Sequence, residues 1–258
     1  MTTSIKEGTV ETEIKDGIAS ITFAHPSSNA MPGQQLKALA EAIHAAGRDT
    51  AVKVVIIRSG GERAFCAGAS FDELLAIRDL EGGKAFFRGF AGVINAMRSC
   101  PKFIIVRLQG KAVGGGVGIA AAADYCIASE YASVKLSELA IGIGPFVIGP
   151  AVERKIGKAA FTQLAIAATE WQTAAWAKDK GLYQDVFPTI ERTDAYVEYL
   201  AKQLAAYSPE AMAKMKAMFW EGTDHWPELL EERAKISGQL VLSDFTSAAI
   251  AAFKNKKK

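Results

Sequence analysis

Residues Gly110–Ala123 read GKAVGGGVGIAAAA, and the reading of this stretch decides the fold. Three glycines in succession open what is otherwise an alanine-rich helix, and a fourth, Gly118, stands one turn further in. Glycine inside a helix costs about 1 kcal/mol relative to alanine, so the run marks a place where bare backbone is required. A helix N-terminus presents unpaired N–H groups and a partial positive charge, and glycine lets a ligand lie against that backbone with no Cβ in the way. A carbonyl oxygen placed there is polarised, and if it gains charge during a reaction the donors hold it more tightly; losing one such donor lowers a rate by about 10²–10³. A competing reading is a dinucleotide fingerprint, since Gly116-x-Gly118-x-x-Ala121 fits GxGxxA and Glu138 lies near the distance of a ribose-binding acid. Against it, Gly110–Val113 separate the glycines from the preceding strand, and the stretch lies mid-chain rather than in a first βαβ unit.

Working outward, the glycine run lies between two apolar strands, KFIIVRLQG (102–110) and DYCIAS (124–129). Upstream, VETEIKDGIASITFAHP (10–26) reads as two strands around an Asp16-Gly17 turn. GQQLKALAEAIHAAGRD (33–49) and GKAFFRGFAGVINAMRSC (83–100) carry apolar residues at helical spacing. VKVVIIRS (52–59) is a nearly continuous apolar strand, as expected in a sheet covered on both faces. GGERAFCAGAS (60–70) is a small-residue loop, with a helix expected from about Phe71. Past Gly149 every segment reads as helical: 151–182, 192–207, 208–222 and 226–253, with Ser208-Pro209 a strong helix start. Strands alternating with helices, then helices alone, indicate an α/β chain.

Bulk composition excludes several functions. The chain has 258 residues, half of them hydrophobic, and a net charge of +2; this balance favours neither nucleic acid nor an anionic membrane as partner. The basic end, KNKKK (254–258), reads as a solvated terminus. Cys66, Cys100 and Cys126 are widely spaced with no CxxC, the usage of a reduced, cytoplasmic protein. His25, His44 and His225 are scattered, so no metal site is expected. The start is polar and charged, unlike a signal peptide, and no apolar run approaches the ~20 residues of a membrane span.

One donor loop rarely suffices, and AFCAGAS (64–70) is the other small-residue loop set between an apolar strand and a helix start. The pair resembles the crotonase, or enoyl-CoA hydratase/isomerase, superfamily over about residues 10–220. The match is most specific in RAFCAGA (63–69), GKAVGGGVGIAAAADYCIAS (110–129) and SELAIGIGPFVIG (137–149). The resemblance implies an α/β fold of repeated ββα units in a spiral over residues 1–200, with a helical C-terminal trimerisation region over 201–258. It implies homotrimers, often paired into hexamers. The implied substrate is an acyl-CoA thioester of fatty acid metabolism, its carbonyl oxygen held between the N–H groups of Ala69 and Gly115. HPSSNAMP (25–32) resembles the family's CoA loop, so Ser27, Ser28 and the Ala67-Gly68-Ala69 stretch are expected along the CoA path. Gly114 and Gly118 would line the thioester, and Phe146, with the region around Trp171 and Trp176, the acyl pocket. No separate cofactor is expected, because coenzyme A belongs to the substrate.

One departure matters. Hydratases of this family carry a glutamate in GGG-x-E, and this sequence has Gly118 there; their second glutamate is matched by Glu138. Adding water across C2=C3 needs a base for the water and an acid for C2, a task that two carboxylates share. Moving a double bond needs one group, which removes a proton from C2 and returns it at C4. ELAIGIGPF (138–146) resembles the same stretch of mitochondrial-type Δ3,Δ2-enoyl-CoA isomerases, which rely on a single glutamate. Apolar flanks predict a raised pKa for Glu138. Three readings stand: an isomerase or hydratase working with one glutamate, a hydratase of a branched-chain acyl-CoA, and a catalytically weak acyl-CoA-binding relative. Lys135 is a surface ion-pair candidate for Glu138, Asp124 a helix-capping candidate, and Cys66 a small buried thiol.

Overall fold

The computed structural model describes residues 8–255; the polar start, 1–7, and the basic Lys256–Lys258 lie outside them. The chain runs β1 (Thr9–Lys15), β2 (Ile18–Ala24), α1 (Gly33–Arg48), β3 (Val54–Ser59), β4 (Ala64–Cys66), α2 (Phe71–Ala76), α3 (Leu80–Ser99), β5 (Phe103–Leu108), β6 (Lys111–Val113), α4 (Gly115–Ala122), β7 (Tyr125–Ser129), β8 (Val134–Lys135), a 3-10 turn (Leu139–Ile141), α5 (Gly149–Ile166), α6 (Ala174–Asp179), β9 (Asp185–Phe187), α7 (Ile190–Ala205), α8 (Pro209–Phe219), α9 (Trp226–Leu240) and α10 (Asp244–Asn255).

β1 and β2 form an antiparallel hairpin in which Lys15 faces Ile18. Asp16 and Gly17 both have positive φ, 52° and 79°, the backbone a two-residue type I′ turn needs. From β2 onward the main sheet is parallel, in the order β1-β2-β3-β5-β7-β9. Its inner face buries Ile21, Phe23, Val55, Ile57, Ile104 and Val106. Val54, Ile56, Ile105 and Ile127 face the other way onto Val197 and Ala201 of α7. Burial on both faces is why VKVVIIRS shows no alternation.

A second, three-stranded parallel sheet has the order β4-β6-β8, and a bridge from Met31 to Ala69 prolongs it by one residue. Each circuit of the chain therefore gives a long strand to the main sheet, a short one to the small sheet, and then a helix or turn. Four circuits follow one another: β2–Met31–α1, β3–β4–α2, β5–β6–α4 and β7–β8–3-10 turn. This is the ββα spiral expected from the sequence.

The sequence reading differs from the structure in three respects. The short strand β4 lies in the segment read as a loop, and β6 and β8 in segments to which the sequence reading assigns no element; two or three residues are too few to show alternation. β9 interrupts the region expected to be all helix and closes the parallel sheet beside β7. The spans 151–182 and 226–253 are each two helices: α5, itself kinked at Gly157 (φ 77°), and α6, begun afresh by Thr173, whose hydroxyl accepts from Trp176 N; then α9 and α10, parted at residues 241–243.

The C-terminal helices return to the spiral. α9 crosses α3 where two glycines meet: a Cβ added at Gly83 would lie 2.8 Å from both Cα and O of Gly238. Neither backbone can recede without parting the helices. Gly83→Ala is therefore expected to lower the melting temperature by about 3–8 °C, an overpacking of about 1–3 kcal/mol. Gly92→Ala, on the same helix with nothing within 4 Å of its added methyl, is expected to hold or raise it. Thermal unfolding of both variants checks the contrast; equal melting points would remove the crossing as a packing constraint.

Candidate active site

The two glycine-rich loops end two neighbouring circuits of the spiral, and their hydrogen bonds determine what they offer. In the first loop, Ala67 N donates to Ser28 O (3.2 Å) and Ser70 N to Met31 O (3.2 Å), while Gly68 O accepts from Met31 N (2.8 Å). Gly68 N lies 3.4 Å from Cys66 Sγ. The amides at 67, 68 and 70 are thus engaged. Ala69 N–H has no protein acceptor among the described residues, and the bridge pattern turns it away from Met31, toward the side on which β4 pairs with β6.

In the second loop Gly114 N donates to Lys135 O (3.0 Å), and Val117 N and Gly118 N both donate to Gly114 O (2.9 and 3.2 Å). The N–H groups of Gly115 and Gly116, at the first turn of α4, have no protein acceptor among the described residues. The two loops touch: a Cβ on Gly68, whose φ of 94° itself favours glycine, would lie 3.3 Å from Val113 O.

Each glycine of the triplet is required by a different neighbour. A Cβ would meet Glu138 Oε1 at 2.8 Å from Gly114, the Phe90 ring at 2.2 Å from Gly115, and Cys66 Cβ at 2.7 Å from Gly116. The first of these contacts defines the site. It sets the Glu138 carboxylate directly against the start of α4, one residue from the free amide of Gly115.

Glu138 begins the 3-10 turn that ends the fourth circuit, and its carbonyl accepts from Ile141 N (3.2 Å) and Ile143 N (3.1 Å), which fixes its backbone. The residue as a whole is half-buried, yet Oε2 is sealed from solvent with no hydrogen-bond partner among the described residues. Burial pushes the carboxyl up to about 7, only partly offset by a hydrogen bond to its own backbone amide. Lys135 does not pair with it: its ammonium lies 4.6 Å from the centre of the Trp171 ring.

Ala69, Gly114, Gly115 and Glu138 are thus brought together, with Ala67 and Gly68 in the adjoining turn. Ser27 and Ser28 flank that turn through the Ser28–Ala67 bond, but the residue that fastens their loop is Asn29. Its Nδ2 donates to Gly60 O and Ala64 O (2.8 Å each), and its Oδ1 accepts from His25 N (2.9 Å). The sequence reading does not single out Asn29 within the 25–32 loop; its φ of 57° is one that asparagine tolerates. A depression of about 370 Å³ bordered by His25, Asn29 and Gly61 adjoins this loop, and none of the residues around Glu138 borders it.

Other candidates fall elsewhere. Gly118 presents no open space, because Ile148 fills it. Phe146 packs over Gly144. Trp171 lies between Lys111 and Lys135 on the small sheet, 40% exposed, and Trp176 packs against the main core. The Cys66 thiol, wholly buried, is pushed up to about 12. Asp124 is not a helix cap: its buried carboxylate takes Ile104 N (2.8 Å), Trp220 Nε1 (3.1 Å) and the Lys216 ammonium (2.7 Å). Among the described residues no group of three or more His, Cys, Asp or Glu could hold a metal ion, and no helix is long and apolar enough to cross a membrane.

Comparison with known proteins identifies the family and the fold. The sequence model of the family described as enoyl-CoA hydratase/isomerase matches residues 13–258. A Bacillus subtilis protein named "Probable enoyl-CoA hydratase" is 30% identical over 247 residues, covering 93% of each chain. The peroxisomal Delta(3,5)-Delta(2,4)-dienoyl-CoA isomerase of Arabidopsis thaliana is 28% identical over 220 residues, covering 79% of this chain and 78% of its own. The crystal structure of enoyl-CoA hydratase from Bacillus halodurans superposes with a TM-score of 0.87 at 22% identity, covering 94% of this chain and 99% of that one, a likeness of fold.

The buried carboxyl leaves a signature in stability. An acid whose folded pKa is raised binds its proton more tightly when folded. Its stabilising contribution is present below the unfolded value of about 4.3 and is lost as pH rises through about 7. Relative to Glu138→Gln, which cannot ionise, the wild-type protein is expected to lose stability between pH 5 and pH 8. Urea midpoints of the two proteins at both pH values check this; parallel behaviour would show that the carboxylate is solvated.

Proposed function

The chain belongs to the enoyl-CoA hydratase/isomerase family of enzymes, and we propose that it moves the double bond of an enoyl-CoA thioester, with Glu138 alone carrying the proton. The observation that carries this reading is the Glu138 carboxylate against Gly114, its Oε2 sealed from solvent and without a partner among the described residues, together with the unengaged amides of Ala69 and Gly115.

In this reading the thioester oxygen of a 3-enoyl-CoA sits between the N–H groups of Ala69 and Gly115. As Glu138 takes a proton from C2, the electron pair of the breaking C–H bond delocalises through the carbonyl, and the oxygen becomes the enolate end of a dienolate. The two amides bind that charge more strongly than the neutral carbonyl, which lowers the barrier by differential binding. Glu138, now protonated, returns the proton at C4, and the double bond ends at C2=C3. A carboxyl near pKa 7 suits both halves of this cycle, since it is basic enough to accept the proton and acidic enough to release it. Ser27, Ser28 and the Ala67–Gly68 turn would lie along the CoA chain. No redox carrier enters, because only a proton moves and coenzyme A arrives with the substrate. The same reading has the enzyme working in the cytoplasm as a homotrimer or hexamer, with exposed Leu139, Leu242 and Phe245 contributing apolar surface to the assembly.

The test is product mass together with pH. A 3-enoyl-CoA is expected to give a 2-enoyl-CoA of unchanged mass, and kcat/KM is expected to fall tenfold per pH unit below about 7, where Glu138 is protonated. Glu138→Gln is expected to lower kcat by about 10²–10⁴ while a non-reacting acyl-CoA still binds. A product heavier by one water, or retained turnover in the variant, would overturn the reading.

A further inference from the structure

Glu138 stands against Gly114, and one turn into α4 stands Gly118, whose N–H closes onto Gly114 O. Gly114 is the residue just before α4 and that bond (3.2 Å) closes the first turn, so the two positions are about one 5.4 Å pitch apart. What occupies the second position decides whether anything besides Glu138 can serve the reacting carbons. The occupant is Ile148. A Cβ at Gly118 would lie 2.6 Å from Ile148 Cγ2, 2.9 Å from Ile148 Cβ and 3.6 Å from Ile94 Cδ1. Ile148 is 4% exposed and Ile94 wholly buried, so the place one turn from the carboxylate's contact with Gly114 is dry as well as full.

Ile148 has little freedom to withdraw. It precedes the first turn of α5, where its carbonyl accepts from Val152 N (3.0 Å) and Gly149 N donates to Pro145 O (2.9 Å). The clash involves its Cβ and a β-branched methyl, not the end of a flexible chain, and χ1 of isoleucine is stiff. Gly149 is itself pinned, with the Phe161 ring 3.1 Å from its vacant Cβ position.

We propose that Ile148 is a specificity-determining residue: by filling the space at Gly118 it holds a branched aliphatic group where water or a second polar group would stand, and so confines the enzyme to proton transfer. This rests on the isomerase reading above. Hydration would need a water whose oxygen bonds to C3 while a proton is delivered to C2, and a group to orient that water. Isomerisation breaks C2–H, forms C4–H through the same carboxyl and needs no such place.

Four proteins test the proposal: wild type, Gly118→Glu, Ile148→Gly and the double variant. Each is measured for melting temperature, for isomerisation of a 3-enoyl-CoA and for mass gain of a 2-enoyl-CoA in water. Gly118→Glu alone is expected to fall by about 5 °C or more and to lose isomerase activity. In the double variant the removed side chain makes room, so melting temperature recovers above that of Gly118→Glu, and hydration rises at least tenfold over wild type. Ile148→Gly alone is expected to admit water and show a smaller rise. A double variant no more stable than Gly118→Glu, or one that folds and gains no hydration, would overturn the proposal. Wild-type enzyme that hydrates as fast as it isomerises would instead overturn the reaction assigned to the site. Because stability coupling is read without substrate, the two failures are distinguishable.

Discussion

The structure depends on how the small parallel sheet uses up its backbone hydrogen bonds. Its strands are two or three residues long, too short to be stable alone, and they exist because the main sheet sets their spacing. Within that pairing the amides of Ala67, Gly68, Ser70 and Gly114 are all engaged. Those of Ala69 and Gly115 face out of the pairing. Buried backbone donors are almost always satisfied in folded proteins, so the unengaged amides on these adjoining loops are what the proposed oxyanion site rests on.

The carboxylate obeys the opposite logic. An unpartnered acid atom sealed from solvent is unfavourable, and nothing in the fold requires one at Glu138. The turn that carries it is held by two bonds to its carbonyl, independent of the side chain. The protein keeps an atom that raises its own energy when ionised, on a carboxylate placed against Gly114, whose φ of 52° itself favours glycine. Strain of this kind persists at sites of chemistry, and the glycine at 114 is the structural accommodation of it.

Much of this was legible in the sequence, for reasons that can be named. Asp16-Gly17 predicts its turn because positive φ at two successive positions is chemically restricted. The glycine triplet and the FCAGA loop show where side chains are excluded, although the sequence does not show what excludes them: Phe90, Cys66 and the Glu138 carboxylate come from three other elements. Length hid the short strands, and β9 was hidden by helical neighbours on both sides. Asp124 looked like a cap because its partners, Lys216 and Trp220, lie more than ninety positions away. Gly118 looked like an open place for an absent acid, since no pattern linked it to Ile148, thirty positions on.

The spiral also explains why chemistry can vary while the scaffold does not. Successive circuits each bring a short strand to the same small sheet and then turn into a helix or a 3-10 turn, so loop ends distant in sequence converge at one edge. Two of those ends contribute backbone, which side-chain substitution leaves in place. A third contributes the side chain of Glu138, and α5, entering just after it, contributes Ile148. In the proposed reading, that division puts carbonyl activation in the part of the protein that is hardest to change. In the same reading, proton delivery and water access then fall to individual side chains packed along α4, Glu138 against Gly114 and Ile148 against Gly118.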